Sequence, residues 1–143
     1  MIRTLLTLAA GIGVGVAGMT ATQHEAQHKG AKVTTLAARD IVEKLDGKEA
    51  KVTFQEVAWE PGQADMPHRH TGPVFGYVLE GEFETALDDQ PAKVYKAGET
   101  FYEPTGSLHR VSKNASKGKT RVLAVVLHPR DAKETTIFEP KKK

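Results

Sequence analysis

The sequence contains no cysteine, and that absence excludes disulfides, thiolate metal ligands, iron–sulfur clusters and a cysteine nucleophile together. It leaves the compartment open, because an exported domain with an adequate core manages without disulfides. Aromatic residues are scarce, at 6% of the chain, which leaves a core built mainly from aliphatic side chains. An excess of one charge is also missing. Twenty Lys and Arg stand against 18 Asp and Glu, and part of the +2 surplus is the terminal Lys141, Lys142 and Lys143. No nucleic-acid footprint is therefore expected. Long apolar runs are lacking too: the one candidate, residues 5–16, is broken by glycines and shorter than the roughly 20 residues a spanning helix needs. No long window keeps an amphipathic helical period.

What remains is a β-rich pattern. At 143 residues the chain can bury one core but not two. Residues 1–21 read as an export signal, with Arg3 as the basic start, residues 5–16 as the apolar stretch and small residues at Ala17, Gly18 and Ala21. The expectation is a periplasmic or secreted protein with no stable membrane anchor once the signal is cleaved near Gly18 or Ala21. Residues 22–47 form a linker and N-terminal extension. Its first part is polar and carries His24 and His28, read as solvated. Residues 33–45 suggest a short strand and then a helical turn, before the turn signal Asp46-Gly47.

From 48 to 128, short Val-, Thr- and aromatic-containing runs alternate with Gly, Pro and Asp punctuation: strands at 51–59, 74–79, 82–87, 93–96, 100–103, 108–112 and 121–127, with an exposed loop at 114–119. Strands at this spacing make an all-β sandwich or closed barrel. Residues 129–143 are a charged tail with one edge strand at 136–138.

The chemistry gathers at histidines. His68 and His70 are two apart, and in an extended strand residues i and i+2 share a face, so both imidazoles reach one ion; a helix would separate them. His109 lies in a second Gly- and Pro-punctuated stretch, residues 98–114, that can supply a third ligand from a neighbouring strand. With no thiolate available, imidazoles suit one divalent transition-metal ion, Fe, Mn, Ni, Cu or Zn, without choosing among them.

The two stretches resemble the paired motifs of the cupin superfamily. In the first, Gly62 is followed by five residues and then His68-Arg69-His70, and Gly81 closes the motif; in the second, Gly98 is followed by five residues, then Pro104-Thr105-Gly106, two more residues and His109. Asn114 falls one position later than the family's asparagine. The resemblance implies a small jelly-roll β-barrel holding a metal inside it, a small-molecule substrate or ligand, and a homodimer. One departure matters. The family's metal-binding glutamate, seven residues before the closing glycine, is replaced here by Val74. A three-histidine site completed by water or substrate, a carboxylate from elsewhere, and a weak or absent metal site are all open.

Glu103 is the substitute candidate, since a carboxylate beside Thr100-Phe101-Tyr102 needs a reason. Its competing reading is a solvent-facing charge on the other side of the strand. Alternation turns Val74, Gly76 and Val78 inward, an apolar wall expected to be locally emptied at Gly76. Gln63, Tyr77, Tyr102 and Arg110 are candidates to brace the ligands or contact a substrate, with a structural role the stronger reading for each; Glu80 and Glu82 read as solvent-facing, and Trp59 as core or rim. No catalytic residue is assigned, and whether the chain is an enzyme stays open. The resemblance extends to quercetin-dioxygenase-like proteins and implies a dioxygenase-like oxidoreductase. The alternatives are a non-enzymatic small-ligand or metal-binding cupin of the cell envelope, and a cupin isomerase or lyase.

Overall fold

The interior of the protein is made by strands whose inward residues are β-branched, small or aromatic. The computed structural model describes residues 30–140; the expected export signal, His24 and His28 lie outside it. Ten strands follow one another, and no helix occurs among the described residues. They are β1 (Lys32–Leu45), β2 (Lys48–Trp59), β3 (His68–His70), β4 (Val74–Glu80), β5 (Glu82–Leu87), β6 (Lys93–Lys96), β7 (Thr100–Glu103), β8 (His109–Asn114), β9 (Thr120–Pro129) and β10 (Thr136–Phe138). Two five-stranded sheets result, ordered β1-β2-β9-β4-β7 and β10-β3-β8-β5-β6. Every pairing between strands is antiparallel.

β9 shows why the sheets pack. Thr120, Val122, Ala124, Val126 and His128 are buried in strict alternation with partly exposed neighbours, the period-two pattern of a strand with one face on the core. β4 does the same with Val74, Gly76 and Val78, as the sequence pattern predicts. One apolar cluster joins Trp59, Val78, Phe83, Phe101 and Val122, and a second joins Val74, Ala124 and Val126. Trp59 is thus a core residue, 5.0 Å from the Phe83 ring in a stacked arrangement.

Three local expectations are corrected. Residues 33–45 contain no helical turn: β1 is a continuous strand along β2, with irregularities at Thr35/Ala37 and Asp40/Lys44. β1 and β10 each form the edge of one sheet. Asn114 does not belong to an exposed loop. It is buried, with Nδ2 donating to the Trp59 and Gly118 carbonyls and Oδ1 accepting from Thr120 and Ser116, and so organises the β8–β9 connection. Finally, Gly76 leaves no empty space. It pairs with Phe101, and a Cβ added at residue 76 would fall 2.0 Å from the Phe101 ring. The aromatic ring covers the glycine across the strand pair, so the glycine serves core packing.

Candidate metal centre

The centre is built where β3 is held between β10 and β8. His68 pairs directly with His109 on β8, while on the other side Phe138 pairs with His68 and Thr136 with His70. The donor atoms of His68, His70 and His109 lie within 4.8 Å of one another, and two of the three residues are buried. The His68 ring is 4.9 Å from that of His70 and 4.7 Å from that of His109. Strand periodicity from a His-x-His sequence therefore does bring two imidazoles to one place, and the partner strand supplies the third.

Each ring is oriented by a second contact. His68 Nδ1 is 2.9 Å from the Met66 carbonyl and His70 Nδ1 is 3.2 Å from the Thr135 carbonyl. A carbonyl only accepts, so both Nδ1 atoms donate, and in the neutral ring the lone pair is then on Nε2. His109 Nε2 sits 2.7 Å from Thr85 Oγ1, which leaves Nδ1 turned toward Glu103. Anchoring the far ring nitrogen fixes tautomer and aim, the arrangement metal-ligating histidines use.

Glu103 faces inward. It is 3% exposed, and its Oε2 lies 3.3 Å from His70 Nε2 and 3.3 Å from His109 Nδ1. These are contact distances without hydrogen-bond alignment: Glu103 Oε2 and His109 Nδ1 are both buried with no hydrogen-bond partner. Burial favours the neutral acid, but the adjoining His109 and His70 outweigh it and lower the Glu103 carboxyl to about 2. For His68, burial dominates and lowers the pKa, helped by its two histidine neighbours. An ionised carboxylate, an orphaned ring nitrogen and a His68 imidazole kept neutral by burial form, with His70, a donor set that suits a divalent cation.

The register explains how Glu103 arrives there. On the β4–β7 pair, Val74 lies directly opposite Glu103. Directly opposed residues of an antiparallel pair project to the same face with Cβ atoms about 5 Å apart. The carboxylate absent at position 74 is thus present one strand away, at the same level of the barrel.

The tail contributes more than an edge strand. Besides the Thr135 carbonyl on His70, the Phe138 ring lies 5.6 Å from that of His68. Arg69, on the outer face between the two histidines, donates to Glu139 at 2.8 Å and to the Gly106 carbonyl at 2.7 Å. Carbonyl partners carry no sequence signature, so this bracing was not legible beforehand. Ending the chain after residue 133 should therefore weaken metal binding by about 10- to 100-fold, the usual cost of losing a group that orients a ligand. Competition with a chromophoric chelator would measure it, and unchanged affinity in a folded truncated protein would remove β10 from the site.

The other candidate groups fall outside the cluster. Tyr77 and Tyr102 are exposed. Gln63 accepts from the Glu60 amide, and Arg110 donates to the Asp88 and Gln90 carbonyls. Glu80 meets Arg121 at the surface, and Glu82 is within 4.0 Å of Lys96. Sequence reading missed Asp65, which accepts from Trp59 Nε1, Ser112 Oγ and the Ala31 amide, tying the segment before the histidines to the core.

With this geometry in hand, the comparisons identify the class. Residues 55–126 match the cupin domain family, Cupin_2, and the chain belongs to that family. A conserved protein with a double-stranded β-helix domain from Klebsiella pneumoniae superposes with a TM-score of 0.60 at 17% identity, over 78% of this chain and 86% of that one. Oxalate oxidase in complex with the substrate analogue glycolate gives a TM-score of 0.57 at 25% identity, over 76% of this chain and 55% of its own. A variant of Bacillus subtilis oxalate decarboxylase gives 0.54 at 19% identity, over 77% of this chain and 28% of its own. The present chain thus spans about half of the oxidase and about a quarter of the decarboxylase. No curated protein matches the sequence.

Proposed function

We propose that the protein is an exported metal cupin in which His68, His70, His109 and Glu103 hold one divalent transition-metal ion, and that it acts on a small molecule as a dioxygenase-like oxidoreductase. The observation that carries this reading is the convergence of three imidazoles with a buried, ionised carboxylate whose Oε2 has no hydrogen-bond partner. When bound, the ion supplies Lewis acidity or redox chemistry at a position with exchangeable ligands. The chain's own residues do the rest: Met66 and Thr135 aim two imidazoles, Thr85 steers the third, and the Phe83 ring, 6.1 Å from that of His109, shields the site from the apolar end of the barrel. Likeness to oxalate oxidase supports oxidation of a small organic acid or a related hydroxy compound. Export rests on the basic, apolar and small-residue order of residues 1–21.

Phe101 fills the Cβ side of Gly76, and the cavity that reaches Glu103 runs elsewhere. A cavity of about 430 Å³ reaches Thr85 and Glu103 from the open seam between β6 and β7, within the usual size range of small-ligand sites. An opening at the centre would favour turnover over the non-enzymatic alternative, and this cavity comes as near as Thr85 and Glu103. Metal-loaded protein, screened with small hydroxy and dicarboxylic acids, should consume dioxygen with at least one of them and lose that uptake on chelation. Stoichiometric metal without uptake on any of these acids would overturn the dioxygenase-like reading and leave the metal-binding module or the isomerase or lyase.

A further inference from the structure

We infer that the cavity along the β6–β7 seam recognises a small organic anion through Lys93, with the ligand's apolar body against Tyr95 and its far end toward Thr85 and Glu103. This deepens the function proposed above and names the substrate class. It rests first on register. Lys93 pairs with Thr85, and Tyr95 with Phe83, so Lys93 and Tyr95 share the inward face of β6. Thr85 is the residue in contact with His109. Lys93 is therefore one cross-strand step from the group that steers the third histidine.

The neighbouring lysines behave differently. On the outward face, Lys96 and Lys113 lie within ion-pair distance of Glu82 and Glu84. Lys93 makes no ion pair among the described residues; its Nζ stands 4.3 Å from the centroid of the Tyr95 ring. A cation placed on an aromatic face is held in position while its charge remains available. The cavity wall carries only one other charged side chain, Glu103, and that carboxylate is turned to His70 and His109. Lys93 is consequently the one cation on the cavity wall, the remaining wall is mostly apolar, and a hydroxyl and a carboxylate lie at the inner end.

The mouth is also braced. Arg110 donates to the Asp88 and Gln90 carbonyls, and the Asp88 amide and carboxylate both bond to the backbone of Leu108, the residue before His109. The turn carrying Gln90 and Pro91 is fixed to the strand that carries the third histidine, so the distance from mouth to centre is preset. The competing explanation is that an inward lysine on an edge strand guards against strand addition, since β6 ends its sheet.

The experiment separates these, and it separates the anion site from the metal site. Chelator-treated, metal-free protein at pH 8, where imidazoles are neutral, is titrated by calorimetry with 4-hydroxybenzoate and with its neutral isostere 4-hydroxybenzamide. The acid should bind about tenfold more tightly than the amide, Lys93→Met should erase that preference, and Lys93→Arg should retain it. Equal binding of the two compounds, binding of neither, or a preference that survives Lys93→Met would overturn the assignment. So would a Lys93→Met protein whose only change is self-association on gel filtration. Metal content, measured separately on untreated protein, tests the three-histidine centre whatever the anion result.

Discussion

Protein purified with His70→Ala should carry less than about a hundredth of the wild-type metal affinity, and His68→Ala and His109→Ala should behave alike. The expectation follows from the donor count. Removing a group that merely orients a ligand costs about 10- to 100-fold, so removing one of the four proposed donors should cost more. His70 is the most informative of the three because it is less buried than His68 or His109, so its truncation leaves the smallest packing defect. Melting temperature then separates lost metal from lost fold: metal-free wild type and metal-free His70→Ala should melt within a few degrees of each other, while added metal raises only the wild type. Full occupancy in the triple variant would sink the assignment.

Acid should give the same result reversibly. His68 has a lowered pKa in the folded chain because burial penalises its charged form. An unfolded histidine takes its proton near 6.5, so this contribution to stability is complete above about 6.5 and declines as pH falls below it. Protons compete with metal for the same nitrogens, so release runs in the same direction. Glu103 belongs to a lower window. Its carboxyl is lowered from 4.5 to about 2, so its contribution is present above 4.5 and is lost as pH falls from there toward 2. Metal content followed by dialysis should drop first, below about pH 6.5, with further loss of thermal stability only in the more acidic window.

These effects were partly legible in the sequence for a simple reason. A His-x-His pair needs only the period of a strand to be placed on one face, and the edge strand at Thr136–Phe138 follows from a short β-branched and aromatic run. Glu103 was ambiguous because β7 is four residues long with aromatic side chains on both faces, Phe101 buried and Tyr102 exposed. No local pattern sets the phase of such a strand. The pairing of Gly76 with Phe101 and of Val74 with Glu103 is a matter of register between segments more than 20 residues apart, and burial decides it collectively. β1 was misread in part because it is an edge strand, largely exposed and with charges at irregular intervals, so neither period stands out. The orienting carbonyls of Met66 and Thr135 carry no side-chain signal at all.

Exchanging the two opposed residues should restore what removing one destroys. Glu103→Val alone leaves three imidazoles without the carboxylate, and Glu103→Gln keeps the shape while removing the charge; both should lower metal affinity by tenfold or more, by the reasoning that an ionised oxygen is the stronger donor to a hard or borderline cation. Val74→Glu in the Glu103→Val background moves the carboxylate back across the strand pair onto the same face, and affinity should recover most of the loss. Val74→Glu alone has a divided outcome. It buries a second carboxylate beside Glu103 and against Ala124 and Val126, and like charges opposed on a strand pair repel, so the metal-free protein should melt lower. A bound cation relieves that repulsion, so the metal-loaded protein should be stabilised by more than the wild type on adding metal. The four proteins form a double-mutant cycle in which coupling between positions 74 and 103 is read separately with and without metal. A double variant no better than Glu103→Val would mean that position 74 does not face the ion. Unchanged affinity in Glu103→Gln would mean that the centre is held by three histidines alone.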